Sequence, residues 1–237
     1  MLKSIILKLG GSIVTDKLKG EPVVKRTLSK RLAHELANLR KNHQKLKVVL
    51  LHGGGSFAHP PAYRYKLTNR PLDTESLTGM GVTVNAVRRL GSELADIFLK
   101  ARLPVVPIQT SAIANREKGR FRLTAAALIR DILRSDGIPL LGGDVIIADH
   151  RRTAIVSADN LAVLMAKLLP KAKIIFMSDV DGVYAAFPPQ AGTAPLRHLN
   201  RRDLKSLITR QSLTALSARD VTGGMMGKLK ALLPLRR

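Results

Sequence analysis

The sequence predicts an α/β fold in which a mainly parallel sheet is covered by helices on both faces. Short apolar runs such as Ser4–Leu9 have the length of buried strands, and they alternate with longer segments of helical periodicity. This alternation is typical of parallel sheets, whose strands are buried on both sides. Glycine-rich turns follow several of the predicted strands, as expected where an open α/β sheet binds a ligand beyond its strand ends.

Hydrophobic periodicity and turn residues place the elements along the chain. Residues 26–45 are predicted to form a helix because leucines recur there on one face. A polar turn at 149–152 separates two apolar runs and indicates a hairpin. The proline-rich segment 188–195 is predicted to be a surface loop. The predicted strands are 4–9, 46–51, 104–108, 138–141, 145–148, 153–156 and 172–177, and the predicted helices are 26–45, 77–102, 124–133, 159–168 and 225–233.

Length and composition exclude several classes of protein. The chain has 237 residues, of which 45% are apolar, and this is ample for a globular core. No apolar run reaches the ~18–20 residues that span a bilayer. The N-terminus lacks the features of a secretory signal, and a cytoplasmic location is expected. The absence of cysteine excludes disulfides, thiolate catalysis and cysteine–zinc sites.

The chain is strongly basic, with 40 Lys and Arg against 17 Asp and Glu and a net charge of +23. Such a field favours anionic substrates and makes nucleic acid the first partner to consider. Aromatic residues, which would stack on single-stranded bases, make up only 3% of the chain. The basic residues are spread along the sequence, so most are interpreted as a solvated surface, and nucleic acid is not the expected partner.

Four glycine-rich turns indicate a phosphate site. Glycine lets backbone N–H groups approach phosphate oxygens closely. One such turn is weak evidence, but several at strand ends, with lysines near the first and last, favour a nucleotide or phosphate ligand. A Walker-type loop and a dinucleotide fingerprint are both absent from the sequence. The turns are Gly10-Gly11-Ser12, Gly53-Gly54-Gly55, Gly142-Gly143-Asp144 and Thr222-Gly223-Gly224.

These motifs resemble those of the amino acid kinase superfamily, in order and approximate spacing, over nearly the whole chain. The resemblance rests on Lys8 with the first turn, on Thr15 and Lys17, and on the segments 157–159, 178–184 and 222–228. Within the superfamily, residues 52–60, HGGGSFAHP, resemble the corresponding segment of isopentenyl phosphate kinases. Fosfomycin-type antibiotic kinases carry a comparable histidine and are the nearest alternative.

The resemblance implies an αβα sandwich, with an acceptor-binding lobe at residues 1–141 and a nucleotide-binding lobe at residues 142–237 in a single folded unit. It implies direct in-line phosphoryl transfer from ATP with Mg²⁺ to isopentenyl phosphate, and a homodimer. Three alternatives stay open: another small phosphate as acceptor, a phosphonate, or a weakened family member that binds nucleotide or polyanions. The sequence does not determine the alkyl group, for which Met80, Val84 and Val87 are candidate contacts.

The resemblance also implies roles for individual residues. Lys8 is expected to neutralise the transferring phosphoryl group with help from Lys17, and Lys228 to approach the ATP phosphates. Asp159 is expected to orient these lysines, and His59 to bind the acceptor phosphate. Taken alone, His59 is equally well explained as a loop-packing histidine, and each lysine as a surface charge. No protein metal ligand is predicted.

Further residues are expected to bind the two substrates through backbone N–H groups, or through polar side chains near the nucleotide. The acceptor group comprises Gly54, Gly55, Gly143 and Asp144, and the nucleotide group comprises Gly10, Gly11, Ser12, Asp179, Asp181, Gly182, Tyr184, Gly223 and Gly224.

Three features depart from the family pattern. Ala58 and Ala158 stand where glycine is usual, and alanine is strained wherever φ is positive. The chain ends at Arg237, where members usually continue with another strand, so a shortened C-terminal unit is expected. An uncovered sheet edge on the nucleotide side is then expected, which either is covered by a partner subunit or makes the fold less stable.

Overall fold

A computed structural model describes residues 4–16, 20–186, 192–211 and 224–235, with the side chains of 210, 211 and 224–226 excepted. Lys17, Gly223 and part of the predicted loop at 188–195 lie outside the described residues.

The first half of the chain contains five strands and four helices among the described residues. Its elements are β1 (Ser4–Leu9), α1 (Gly11–Val14), β2 (Thr15–Asp16), β3 (Val23–Val24), α2 (Arg26–Asn42), β4 (Lys47–His52), α3 (Gly55–Arg64), α4 (Thr74–Lys100) and β5 (Val105–Ile108).

The second half contains two hairpins and the remaining helices. Its elements are α5 (Thr110–Ile113), β6 (Ala114–Glu117), β7 (Arg120–Leu123), α6 (Ala126–Arg134), β8 (Ile138–Gly142), β9 (Asp144–Ala148), β10 (Arg152–Val156), α7 (Ala158–Leu168), β11 (Lys173–Met177), α8 (Arg201–Gln211) and α9 (Gly224–Leu232).

A five-stranded parallel sheet lies at the centre, in the order β11-β1-β4-β8-β5. In the described part of the chain, β11 is one edge of this sheet, and its Ile175 is 43% exposed. A second sheet has the order β10-β9-β6-β7 and contains both hairpins. The predicted mainly parallel α/β fold is confirmed. The proposed division into lobes at residue 142 remains a prediction.

The central sheet is buried on both faces because helices cover each of them. Alternate residues of β1 point to opposite sides, so Ile5 and Ile6 belong to different hydrophobic clusters. The cluster around Ile5 includes residues of α2 and α4, and the cluster around Ile6 includes residues of α6 and α7. Every residue of β1 is buried, which includes the cationic Lys8. A buried charge is unfavourable unless another group compensates it, so the burial of Lys8 indicates a specialised site at this strand end.

Several element boundaries differ from the predictions, for identifiable reasons. Helix α4 begins before the predicted residue 77 because Asp73 caps it: the Ser76 amide donates to Asp73 Oδ1 at 2.6 Å, and Ser76 Oγ accepts from the Asp73 amide at 2.8 Å. Helix α3 was not predicted, because it contains Pro60 and Pro61, which have no N–H. Its Phe57 is 2% exposed, so packing against the core outweighs the unfavourable sequence. The β6–β7 hairpin and α8 were also not predicted.

Candidate active site

Three of the four glycine turns meet in one cleft at the carboxyl ends of β1, β4 and β8. These strands are parallel neighbours, so the turns that follow them lie side by side. The cleft encloses ≈ 100 Å³. Its lining comprises Lys8, Gly10, Gly11, Ser12, Gly53, Gly54, Gly55, Ala58, His59, Ala62, Thr83, Gly143, Asp144, Val145, Ile155, Val156, Ser157, Ala158, Asp159, Ser178 and Lys228.

The first two turns pack backbone against backbone. A Cβ built on Gly11 would lie 2.7 Å from the Cα and the amide nitrogen of Gly55. The Gly53 amide donates to Leu9 O at 2.9 Å, which ties the second turn to the end of β1. Gly55 has φ of +49°, a conformation in which a side chain is strained. Glycine is therefore required both for the close approach and for the backbone conformation.

Lys8 and Asp159 form a buried ion pair beside the cleft. Lys8 Nζ lies 2.8 Å from Asp159 Oδ1, and both residues are 5% exposed. Asp159 is in the first turn of α7, which begins there because Ser157 and Asn160 form a capping box. Each charge compensates the other, since an isolated buried charge would be strongly unfavourable. The pairing brings together two residues that the resemblance assigns to catalysis.

Helix α3 begins at the second glycine turn and carries His59 into the cleft lining. Gly54, which precedes the first residue of α3, also lines the cleft, so an anion here would meet the positive end of the helix dipole. Ala58 lies within this helix and Ala158 opens α7, and neither is among the described residues with positive φ. The strain considered for these two alanines therefore does not arise.

Gly143 and Asp144 form the turn between β8 and β9. Asp144 Oδ2 accepts hydrogen bonds from Gln109 Nε2 at 2.6 Å and from the Ser111 amide at 3.0 Å. Asp144 Oδ1 accepts from the Val145 amide at 2.9 Å. Burial raises the pKa of Asp144, and these hydrogen bonds oppose that rise. The carboxylate holds this turn against α5, and its predicted contact with the acceptor remains a prediction.

His52 is fully enclosed behind the second glycine turn. Its Nδ1 lies 3.3 Å from Gly53 O, and a Cβ built on Gly142 would lie 2.5 Å from its Cε1. Gly91 of α4 also makes room, since its Cβ would lie 3.3 Å from Nε2. Burial lowers the pKa of His52 from 6.5 to about 4, so the imidazole is neutral near pH 7.

We expect the folded protein to lose stability as the pH falls from 6.5 towards 4. The unfolded chain takes up a proton at His52 before the folded chain does, so acid favours unfolding. The shift from 6.5 to about 4 corresponds to roughly 3 kcal/mol of unfolding free energy, reached below pH 4. The measurement is urea denaturation at several pH values, for the wild type and for His52→Gln. The variant should lack this part of the slope, and identical pH slopes would contradict a neutral buried His52.

The residues predicted to bind nucleotide are distributed unevenly. Lys228 of α9 lines the cleft with Lys8, and Gly224 is the first residue of α9. Asp179 and Asp181 are exposed in the segment after β11, outside the cleft lining. Gly182 packs closely against Pro195 in the same region: a Cβ built on Gly182 would lie 2.8 Å from Pro195 Cβ. Tyr184 is half-buried in this segment, and the nucleotide roles of these residues remain predictions.

An apolar end of the cleft was only partly predicted. Thr83 of α4 lines this end of the cleft and is 1% exposed. The contacts predicted on this helix were its neighbours Met80, Val84 and Val87. Met80 packs on the small hydrophobic cluster that contains Ala62 and Val145. Val87 is 4% exposed and lies next to Gly142. Thr83, a polar residue within the hydrophobic stripe of α4, was the one feature of the sequence that could have indicated the apolar end of the cleft.

The residues that the structure describes contain no group of three or more His, Asp or Glu side chains placed to hold a metal ion. None of the helices in the described ranges combines the length and the apolar character needed to cross a bilayer.

The chain belongs to the amino acid kinase family, whose model matches residues 3–237. It is 35% identical over 237 residues to the isopentenyl phosphate kinase of Methanothermobacter thermautotrophicus, covering 98% of this chain and 86% of that protein. A solved structure of an isopentenyl phosphate kinase superposes with a TM-score of 0.75 at 30% identity, covering 97% of this chain and 96% of the other. The product complex of the T. acidophilum isopentenyl phosphate kinase gives a TM-score of 0.72 at 26% identity, covering 87% and 83%. The resemblance inferred from the glycine turns is confirmed.

Proposed function

We propose that this protein is an ATP-dependent kinase that converts isopentenyl phosphate to isopentenyl diphosphate. The observation that carries the proposal is the single cleft in which two adjoining glycine turns, the buried Lys8 and His59 come together. Two turns packed this closely can hold two phosphate groups next to each other. The similarity to isopentenyl phosphate kinases along nearly the whole chain supports this acceptor.

The chemistry is a direct in-line transfer. An oxygen of the acceptor phosphate attacks the γ-phosphorus of ATP, the bond from that phosphorus to the β–γ bridging oxygen breaks, and ADP leaves with that oxygen. Such a transfer needs positioning and charge neutralisation more than covalent help. Lys8 supplies a charge that Asp159 holds in place at 2.8 Å, and Lys228 supplies a second positive charge. Lys17 and the N–H groups of the glycine turns complete the proposed anion site.

In this proposal, His59 and the apolar end of the cleft recognise the acceptor. His59 binds the acceptor phosphate, and it lies on α3, the helix that begins at the last residue of the second turn. Ala62, Val145 and Ile155 form an apolar end suited to a short alkyl chain. The Thr83 hydroxyl already donates to Gly79 O at 2.8 Å within α4, so it needs no polar group from the ligand.

Further properties are proposed together with this activity. Residues 1–141 form the acceptor-binding lobe and residues 142–237 the nucleotide-binding lobe, with Asp179, Asp181, Gly182 and Tyr184 near the nucleotide. The start of the second lobe, which includes Val145 and Ile155, also contributes to the acceptor end of the cleft. Magnesium enters with the ATP phosphates, since it commonly binds through phosphates and water with few protein ligands. The chain is proposed to act as a cytoplasmic homodimer in which the partner subunit covers the sheet edge at β11, whose Ile175 is 43% exposed.

An ATP-coupled assay with isopentenyl phosphate, dimethylallyl phosphate, fosfomycin and amino acids tests the proposal. We expect faster turnover with isopentenyl phosphate than with fosfomycin or amino acids, because it combines a phosphate with the short alkyl chain for which the cleft is proposed to be suited. Dimethylallyl phosphate shares both features, and its relative rate tests how closely the cleft fits the position of the double bond. In the same assay, His59→Ala should lower kcat/KM for the acceptor by about ten- to hundredfold, the value of one charge-assisted hydrogen bond. The KM for ATP should be unchanged.

His34→Ala is the matched control, since His34 is an exposed histidine on α2. It should behave like the wild type. Turnover confined to fosfomycin or to an amino acid would overturn the proposed acceptor. If His59→Ala has wild-type kinetics, His59 is a packing residue and does not bind the acceptor phosphate.

A further inference from the structure

One hydroxyl group bridges the two glycine turns. Thr15 follows α1, and it is completely buried. Its Oγ1 donates a hydrogen bond to Gly11 O at 2.8 Å and accepts one from the Ser56 amide at 3.1 Å. Gly11 belongs to the turn after β1, and Ser56 is the second residue of α3. A single side chain therefore ties the turn of one strand to the helix that starts at the other.

The absence of a side chain at Gly55 leaves room for this bridge. A Cβ built on Gly55 would lie 2.1 Å from Thr15 Oγ1 and 3.0 Å from Gly11 O. The hydroxyl of Thr15 occupies the space that a side chain at residue 55 would need. Thr15, Gly11, Gly55 and Ser56 thus form one closely packed arrangement that links the two turns through the Thr15 hydroxyl.

We propose that Thr15 is a positioning residue that sets the distance between the two phosphate-binding turns. This inference rests on the proposed function, in which one turn holds the transferring phosphoryl group and the other the acceptor phosphate. Thr15 is not among the residues that line the cleft, so it acts through Gly11 and Ser56 and not on the substrates. Its effect is on alignment, because in-line transfer is sensitive to displacements of about 1 Å, which can lower a rate by about a hundredfold.

The bridge requires a group that both donates and accepts. Valine has the shape of threonine but can do neither, so it leaves the Ser56 N–H without this partner. Serine keeps the hydroxyl and loses only the methyl group. Gly11 O also accepts a hydrogen bond from the Thr15 amide, so the first turn keeps its local geometry in either variant. The comparison of Thr15→Val with Thr15→Ser therefore isolates the link between the turns.

Thr153 offers a matched control. It is also completely buried, and its Oγ1 donates to Leu67 O at 2.7 Å and accepts from the Arg70 amide at 3.2 Å. This second bridge joins β10 to the segment before α4 and does not line the cleft. Thr153→Val therefore removes a comparable buried bridge without separating the glycine turns.

The test is steady-state kinetics and thermal melting of the wild type, Thr15→Val, Thr15→Ser and Thr153→Val. We expect Thr15→Val to lower kcat by about ten- to hundredfold, while the KM values for ATP and acceptor change less than about twofold. Thr15→Ser should stay close to the wild type. Thr153→Val should lower the melting temperature as much as Thr15→Val but keep kcat. Wild-type kcat in Thr15→Val, or an equal loss of kcat in Thr153→Val, would overturn the proposal.

The amide exchange of Ser56 gives a readout that does not depend on turnover. It should be at least about tenfold faster in Thr15→Val than in Thr15→Ser, because only the first lacks the acceptor for this N–H. Equal exchange would overturn the proposal, even if Thr15→Val is poorly active for other reasons. If the wild type does not phosphorylate isopentenyl phosphate, the proposed function fails, and the kinetics are measured with the acceptor that does turn over. If no acceptor turns over, the positioning role fails as well, and faster exchange would support only the structural link.

Discussion

Replacing Lys8 with alanine is expected to lower kcat by about two to three orders of magnitude, the usual effect of removing one preorganised charge-stabilising group. It should also lower the free energy of unfolding by ~3–5 kcal/mol, because Asp159 would remain buried without its partner. Lys8 Nζ and Asp159 Oδ1 lie 2.8 Å apart, with side chains 6% and 7% exposed. Turnover and urea denaturation measure the two effects separately.

A double variant separates catalysis from folding. Lys8→Met with Asp159→Asn removes both charges, so most of the lost stability should return while kcat stays low. Lys47→Ala is the surface control: Lys47 pairs with Asp136 at 2.5 Å, but these side chains are 32% and 65% exposed. Its effect on stability should be ~0–1 kcal/mol. Recovery of turnover in the double variant would show that Lys8 is a structural residue only.

Replacing Gly55 with alanine is expected to disrupt both glycine turns. The new Cβ would lie 2.1 Å from Thr15 Oγ1, and the backbone at residue 55 has φ of +49°. Left-handed backbone costs about 1–2 kcal/mol and overpacking about 1–3 kcal/mol, so unfolding should become easier by roughly 2–5 kcal/mol. Acceptor turnover should fall at least about a hundredfold, since the turns cannot keep their separation. Chemical denaturation and steady-state kinetics measure the two changes.

Gly81→Ala is the control for this substitution. Gly81 lies in α4, and a Cβ on it would have no neighbour within 4 Å among the described residues. Alanine is favoured over glycine in a helix, so this variant should gain ~0.5–1 kcal/mol and keep its activity. Unchanged stability and turnover in Gly55→Ala would show that the turns can shift apart without consequence, and would contradict a rigid arrangement.

How well each element could be predicted depended on whether its hydrophobic pattern, its capping residues or its tertiary packing stabilises it. Strand β1 was predicted with its observed bounds, since burial on both faces favours a mostly apolar run, which Lys8 interrupts only near the strand end. Helix α3 was missed because Pro60 and Pro61 oppose it locally, and only packing against the rest of the core favours it. The start of α4 was placed too late because a capping box, and not the hydrophobic stripe, begins that helix.

The sequence by itself determined where the cleft lies, because glycine turns at strand ends are local features whose side-by-side placement follows from a parallel sheet. Tertiary structure alone decided how those features are joined. The hydrogen bond from Ser56 to Thr15 spans 41 residues, and no local pattern announces it. The apolar end of the cleft likewise combines Thr83 of α4 with Val145 of β9, a strand that lies far along the chain from this helix. Such contacts depend on how separate segments pack, so their residues become recognisable only in the folded protein.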